Sequence, residues 1–354
     1  MQKTWLILAA LLMTAAGCAI LETDEHRFKS LVDDVRQCEG KALNIQLNNA
    51  ENGKGRTSRE IDELLRKSHE QAVLALQLAP KVIDKKRDTA SSDFNSRVEN
   101  MELQIMPSYL NSIANTFEQE DDIADAERAY QLAVAAAEKF CPSSQPDTSG
   151  ALAKLGKFYC LHKRLNEARP VLERAVKLAE QAVSAGKAEN VDADKTKDLN
   201  TNLSECISEL ALWSYLEKDT KTANKLYIQA LKIDPDHGTS LEDLANDCLA
   251  FQDKPRESAE LYQKAIALRE AAGVNPIKTA QIYAYMANAY SDVDVHAAEN
   301  AYKKCWSIAE AHKKELSAFE KESMQTEMGY YSDMLRKNHR DAEADAVEKL
   351  ATTL

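Results

Sequence analysis

The stretch SECISELALWSYLEKDTKTANKLYIQALKIDPDH, residues 204–237, decides the fold because its pattern predicts two helices joined by a tight polar turn. Apolar residues recur at helical spacing in its first half, at Ile207, Leu210 and Ala211. Polar residues at 218–220 form the predicted turn, and the second helix is expected to end before Pro235. The apolar face of that second helix consists of Ala223, Tyr227, Ala230, Leu231 and Ile233. The stretch therefore predicts one helix-turn-helix unit.

This unit resembles a tetratricopeptide repeat, a pattern of about 34 residues built from two packed helices. In that family, small side chains let the helices approach and large apolar side chains fill the gaps between them. The matching positions here are small at Ala211, Ala223 and Ala230, large at Ile207, Leu210 and Tyr227, and proline at Pro235. The resemblance implies an all-α fold, a right-handed superhelical solenoid of helix-turn-helix repeats. It also implies binding of a protein or peptide partner.

The same pattern predicts about five clear repeats and a degenerate C-terminal one within residues 107–354. Pro107 is expected to start the first helix of this array. Two of the units begin 42 residues apart, at Leu110 and Leu152. That longer period, together with the run EARPVLERA at 167–175, resembles the repeat variant found in kinesin light chains.

The remaining segments of the chain are predicted to be less regular. Residues 18–106 are expected to form an N-terminal helical hairpin region, whose second helix ends at Pro80, followed by a connector. Two polar, glycine-containing stretches, 48–58 and 186–197, are interpreted as solvated loops.

The first residues have the layout of a secretory signal: Lys3 precedes an apolar core at 5–13, and small residues at 14–17 precede Cys18. This layout resembles a bacterial lipoprotein signal, in which cleavage before the cysteine is coupled to attachment of lipid, such as palmitate, to its thiol. We therefore expect residues 1–17 to be removed and Cys18 to be lipidated. The alternative is an uncleaved anchor, since 5–21 is at the short end of the membrane-spanning length.

The signal implies a place in the bacterial cell envelope, with the protein lipid-anchored to the periplasmic face of the outer membrane. The formal net charge is −12, and it becomes −13 once Lys3 is removed. Such a surface repels phosphate backbones, so the charge argues against nucleic-acid binding.

The cysteines and histidines do not predict a metal site. The chain has seven of each, but no closely spaced set has the ligand spacing of zinc proteins. Cys248 and Cys305 fall at positions that face the helix packing, so both are expected to be small buried side chains. We therefore expect neither a metal nor any other cofactor.

The repeat register also predicts which residues line a binding groove. By family resemblance, repeat position 9 on the first helix of each unit faces the groove, as do positions 5 and 12. Position 9 is occupied by Asn115, Lys157, Leu212, Asn246 and Asn288. Asn111 stands at position 5 of the first unit and Tyr215 at position 12 of the third. An asparagine amide offers both a donor and an acceptor to an extended peptide, although it serves equally well as an ordinary solvated side chain.

Two classes of function follow from these observations. The leading prediction is a non-enzymatic scaffold or adaptor of the cell envelope that binds a protein or peptide partner in its groove and assists complex assembly. The alternative is an enzyme, or the regulatory subunit of one, with a ligand site in the groove. The sequence contains no H-E-x-x-H, G-x-S-x-G or G-x-G-x-x-G motif that would support the alternative.

Overall fold

The computed structural model describes residues 24–51, 59–84, 94–141, 146–236, 238–250 and 254–353. Within these residues the backbone forms fourteen α-helices and no β-strand, which confirms the predicted all-α class. The first seven are α1 (Asp24–Glu51), α2 (Arg59–Asp84), α3 (Phe94–Gln119), α4 (Ile123–Phe140), α5 (Pro146–Leu161), α6 (Leu165–Glu189) and α7 (Ala193–Leu216). The others are α8 (Thr220–Ile233), α9 (Ser240–Ala250), α10 (Pro255–Ala272), α11 (Pro276–Tyr290), α12 (Val295–Ala311), α13 (Ala318–Lys337) and α14 (Asp341–Ala351).

The chain folds as two compact units, Met1–Phe158 and Tyr159–Leu354. In the first unit, α1 packs against α2 and α3 packs against α4. The Glu39 carboxylate of α1 accepts a hydrogen bond from Thr116 Oγ1 of α3 at 2.6 Å, which links the two helix pairs. The core beneath them is apolar and includes Val32, Ala72, Leu76, Leu110, Ile113, Phe117 and Ala133.

In the second unit, successive helices pair as α7 with α8, α9 with α10, α11 with α12, and α13 with α14. The small residues of the stretch 204–237 are buried where these helices meet: Ala211 and Ala223 are fully buried and Ala230 is 2% exposed. Tyr227 fills the space between them. The structure therefore confirms the repeat register that this stretch predicts.

Two of the turns between paired helices share one backbone device. Lys218 has a φ of 65°, and Asp219 then caps α8 by accepting a hydrogen bond from the backbone N–H of Thr222 at 3.1 Å. Asp121 adopts a similar φ of 62°, and Asp122 caps α4 through the N–H of Asp125. A left-handed residue followed by an aspartate reverses the chain within two residues and satisfies a free N–H of the next helix.

The predicted loop at 186–197 is wrong, because α6 continues to Glu189 and α7 begins at Ala193. A Cβ at Gly186 would lie 2.6 Å from Leu199 Cδ1, so this glycine permits close packing of two helices. The turn is made instead by Asn190, which has a φ of 51°, and by Asp192, which caps α7.

The two predicted proline boundaries are also wrong. Helix α2 continues through Pro80 to Asp84, and Pro107 lies inside α3. A proline inside a helix removes one backbone hydrogen bond, yet in both helices the buried apolar face continues on either side of it. The buried residues that flank the prolines are Leu76, Ala79, Val82 and Ile83 in α2, and Leu103, Met106 and Leu110 in α3.

Candidate binding face

Three of the predicted groove asparagines accept a hydrogen bond from a tyrosine on the second helix of the same repeat. In the first unit, Tyr130 Oη lies 2.6 Å from Asn115 Oδ1 and 2.7 Å from Glu118 Oε2. In the second unit, Tyr262 donates to Asn246 Oδ1 and Tyr302 donates to Asn288 Oδ1. The repeat therefore uses the carbonyl of position 9 to satisfy a tyrosine hydroxyl that is buried between the helices.

The repeat at 204–237 lacks this bond. Its position 9 is Leu212, and the hydroxyl of the fully buried Tyr227 has no hydrogen-bond partner among the described residues. Burial raises the pKa of this phenol well above its ordinary value, and the nearby Glu209 carboxylate raises it further. The contrast with Tyr262 shows that the asparagine, when present, has a structural role.

The pairing leaves only the amide N–H groups of the asparagines for a ligand. Asn115 and Asn246 are exposed, and no described residue accepts from their Nδ2 groups. The Nδ2 group of the half-buried Asn288 donates to Glu327 Oε2 of α13 at 3.1 Å. Replacing these asparagines by alanine would therefore break hydrogen bonds inside the repeat.

The other predicted groove residues have mixed surroundings. Asn111 is half-buried, and its Oδ1 has no hydrogen-bond partner within the described parts of the chain. Lys157 is half-buried and takes part in interactions with its surroundings. Tyr215 accepts a hydrogen bond from Lys264 Nζ at 2.7 Å, and the same ammonium lies 4.9 Å from its ring centroid. Cys18, the predicted lipidation site, lies outside the described residues.

An open pocket of about 470 Å³ lies where α11 faces α13 in the second unit. Asn288, a predicted groove residue, lines this pocket, so the pocket adjoins the predicted groove. The remaining lining residues are Ser291, Asp292, Tyr302, Tyr330, Asp333, Met334 and Lys337. Two polar contacts connect the helices at this point: the Asn288–Glu327 hydrogen bond, and a salt bridge of 2.6 Å between Lys337 Nζ and Asp292 Oδ1.

The pocket lining contains two carboxylates, Asp292 and Asp333, and one ammonium, Lys337, so its formal charge is negative. Glu327 is 9% exposed, and burial raises the pKa of its carboxyl even though the hydrogen bond from Asn288 lowers it. Burial raises the pKa of the Tyr302 phenol, and the Glu327 and Asp333 carboxylates raise it further. Both carboxylates therefore act on the same wall of the pocket.

The asparagine–tyrosine hydrogen bond could have been predicted from the sequence, because the two residue types occur together in the same repeats. Asparagine at position 9 accompanies tyrosine on the following helix in three repeats, as Asn115 with Tyr130, Asn246 with Tyr262, and Asn288 with Tyr302. The pocket carried no such signal, because its second wall belongs to the degenerate last repeat, where the spacing of the family pattern is lost.

The described residues contain neither a membrane-spanning helix nor a metal-binding group. No described helix is long and apolar enough to cross a bilayer. No group of three or more histidine, cysteine, aspartate or glutamate side chains there could hold a metal ion. The six described cysteines are buried free thiols, and these include Cys248 and Cys305 as predicted.

Part of the chain is similar to a family model, and the chain is also similar to solved structures. A family model described as tetratricopeptide repeat matches residues 148–186. No curated protein matches the chain. A putative kinesin light chain structure from Podosopora anserina with nearly identical TPR-like repeats is 18% identical, with a TM-score of 0.30, and covers 61% of this chain and 98% of its own. BtubC (BKLC) from P. vanneervenii is 16% identical, with a TM-score of 0.34, and covers 70% of this chain and 92% of its own.

The sequence match agrees with the helix pairs described above. Helices α4 and α6 begin 42 residues apart, at Ile123 and Leu165, which is the longer period that the sequence predicts. Small residues are buried where the helices of each pair meet. A tetratricopeptide repeat is therefore matched at residues 148–186, within a chain of paired helices.

Proposed function

We propose that this protein is a non-enzymatic scaffold of the bacterial cell envelope that binds an extended segment of a protein partner. The tetratricopeptide repeat itself favours protein–protein interaction. The observation that carries the proposal is the repeated placement of an exposed amide at position 9, as in Asn115 and Asn246. The partner's backbone carbonyls are the groups that these amides would bind.

The paired tyrosines support this role because they fix the orientation of the amides. A free asparagine side chain rotates and loses conformational entropy when it binds a ligand. The hydrogen bond from Tyr262 fixes the Oδ1 atom of Asn246 against the repeat. The orientation of its Nδ2 group is therefore already set in the free protein. A preorganised donor of this kind suits recognition of a peptide backbone.

We also propose that the protein is anchored to the membrane through lipid on Cys18. The motivation is the small-residue run 14–17 directly before that cysteine. The anchor would hold the repeat units at the periplasmic face of the outer membrane, where partners in envelope complexes are found. The acidic net charge supports a protein partner and disfavours nucleic acid.

The test uses a variant that removes the donor and keeps the acceptor. Asn246→Asp retains an oxygen for the Tyr262 hydroxyl but loses the N–H groups. A random 12-residue peptide library displayed on phage is selected against the mature chain, and the selected peptides are measured by fluorescence anisotropy. We expect Asn246→Asp to weaken binding by roughly three- to tenfold, the effect of one lost hydrogen bond of about 0.5 to 1.5 kcal/mol.

Asn224→Asp is the matched control, because Asn224 is exposed on the second helix α8 and the substitution adds the same charge. It should leave peptide affinity unchanged. Selection of no peptide at all would contradict the proposed function. Equal affinity of the Asn246→Asp variant and the parent would place the binding surface elsewhere on the protein.

A further inference from the structure

We propose that the pocket between α11 and α13 binds a basic side chain, the guanidinium of an arginine or the ammonium of a lysine, in the partner's segment. This inference deepens the proposed function and rests on it. It assigns a charge preference to one place on the binding face, next to Asn288.

The first reason is a buried carboxylate without a cation. Glu327 is 9% exposed, and its described polar contact is the neutral amide of Asn288. None of the salt bridges among the described residues includes Glu327, although such pairs are frequent elsewhere in the second unit. A buried charge is costly when no opposite charge compensates it, so a cation arriving beside Glu327 would relieve an existing cost.

The second reason is the balance of charge in the wall. Lys337 is the one positively charged residue lining the pocket within the described chain, and its ammonium is already paired with Asp292 at 2.6 Å. Asp333 has neither a salt bridge nor a side-chain hydrogen bond there. Asp333 therefore leaves one uncompensated carboxylate in the lining, and Glu327 adds a second one behind Asn288, to which it is hydrogen-bonded.

The third reason is the aromatic surface beside these carboxylates. Tyr330 lines the pocket and is 52% exposed, which is a large exposure for an aromatic side chain on a well-packed helix. Tyr285 is also exposed, and its phenol is close enough to Glu327 for that carboxylate to raise its pKa after the effect of burial. A cation gains energy over an aromatic face as well as from a carboxylate, and a long basic side chain also packs its methylenes on such rings.

The size and openness of the site fit this occupant. The pocket of about 470 Å³ is open to solvent and has one apolar wall, where Met334 lies beside Tyr302. The Tyr302 ring stacks on Tyr331 with a centroid distance of 5.0 Å, so that wall is held rigid from behind. A side chain inserted from an extended segment would reach the carboxylates beside Asn288.

The test begins with the peptides that the phage selection yields for the parent protein. We expect lysine or arginine to be enriched at one position of the selected 12-residue sequences. The same selection against the Glu327→Gln, Asp333→Asn double variant should lose that enrichment. Glutamine at 327 keeps an oxygen for the Asn288 amide, so the variant removes charge and preserves the contact.

Affinity measurements then assign the effect to the pocket. For a selected peptide, we expect each single variant to bind about two- to fivefold more weakly, as for partly exposed ion pairs, and to lose part of its dependence on salt. Glu322→Gln is the control, because Glu322 is an exposed carboxylate on α13 outside the pocket. Asp333→Arg should regain affinity for a peptide in which the basic residue is replaced by glutamate.

The outcomes separate the two proposals. Peptides that bind without basic enrichment, or whose enrichment survives in the double variant, would overturn the basic subsite and leave the scaffold function standing. Loss of affinity in Glu322→Gln equal to that in Asp333→Asn would show a general charge effect and would also overturn the subsite. If the parent selects no peptide, the scaffold function fails and the subsite fails with it.

Discussion

A tyrosine hydroxyl is enclosed between the two helices of four repeats, and repeat position 9 decides whether it meets an asparagine oxygen. In three of them the neighbouring first helix supplies an asparagine oxygen, as Asn246 does for Tyr262. In the fourth, Leu212 takes that place and the Tyr227 hydroxyl has no partner among the described residues. A buried hydroxyl without a hydrogen-bond partner destabilises the folded state more than the absence of that hydroxyl would. The buried oxygen has lost its hydrogen bonds to water and gained none in the protein.

This difference predicts opposite outcomes for one substitution at two equivalent sites. Tyr262→Phe should lower the free energy of unfolding by about 0.5 to 1.5 kcal/mol, because it removes a satisfied bond. Tyr227→Phe should leave stability unchanged or raise it, because it removes an unsatisfied group. The urea midpoint of each variant, followed by circular dichroism, measures the effect.

Both tyrosines lie in the second unit and are almost fully buried, so each serves as the control for the other. An equal loss in both variants would mean that Tyr227 has a partner that the described contacts do not include. An equal absence of loss would mean that the Asn246 oxygen contributes nothing to stability.

The sequence predicted the burial of these tyrosines but not their bonds. The repeat spacing places Tyr130, Tyr159, Tyr227, Tyr262, Tyr290 and Tyr302 at packing positions; all of them are buried except Tyr290, which is half-buried. Position in the repeat decides burial because the helix period sets which side faces the neighbour. Which polar atom meets the hydroxyl depends on the turn length and tilt of each pair, and the repeat period alone does not determine these.

At the scale of the helices, an ion-pair network joins α12 to the turn before α14. Arg340 Nη1 lies 2.8 Å from Glu299 Oε2, and Lys303 Nζ lies within hydrogen-bond distance of the other carboxylate oxygen. The hydrogen bond from Arg340, then that from Lys303, holds the pKa of Glu299 at about 2, below its ordinary 4.5. The lowered pKa means that the folded protein favours the ionised carboxylate.

The stability that Glu299 contributes should therefore be lost on acidification. A carboxyl whose folded pKa is depressed contributes fully above its unfolded pKa, near 4.5, and the contribution falls as the pH drops towards 2. We expect Glu299→Gln to lower the urea midpoint at pH 7, and we expect the difference from the parent to shrink between pH 4.5 and pH 2.

Glu310→Gln provides the reference for this titration, since Glu310 is an exposed carboxylate on the same helix. It should show little difference from the parent at any of these pH values. A difference for Glu299→Gln that stays constant down to pH 2 would show that the ionised pair with Arg340 does not stabilise the turn.

The helices themselves were predictable wherever a polar turn separates two apolar faces, as at 218–220. The prediction failed where a breaker residue lies within a continuing apolar face. Pro107 and Gly186 were expected at helix boundaries, and both lie inside helices: the buried side of α3 continues past Pro107, and Gly186 is itself buried against Leu199 of α7. The lost backbone bond or the missing side chain affects one turn, whereas packing acts along the whole helix.

At the scale of the whole molecule, the two proposed roles belong to different parts of the chain. The membrane anchor depends on the short segment that ends at Cys18, and partner binding depends on the folded helical units. A cysteine that receives several acyl chains is held firmly to a bilayer, whereas one chain binds reversibly. The described helices include none that could cross a bilayer. In the proposal, lipid on Cys18 is the means of attachment.

Changing Cys18 to alanine should release the protein from the membrane fraction and prevent its processing. In cells fed a radiolabelled or alkyne-tagged palmitate, the parent should carry the label and remain with membranes until detergent is added, while Cys18→Ala carries none. Cys38→Ala is the control, because Cys38 is a buried thiol of α1 and its substitution should leave labelling intact. If Cys18→Ala still fractionates with membranes through high salt and carbonate, an uncleaved apolar segment at 5–21 holds the protein instead, since a spanning segment resists both treatments and needs no acyl chain.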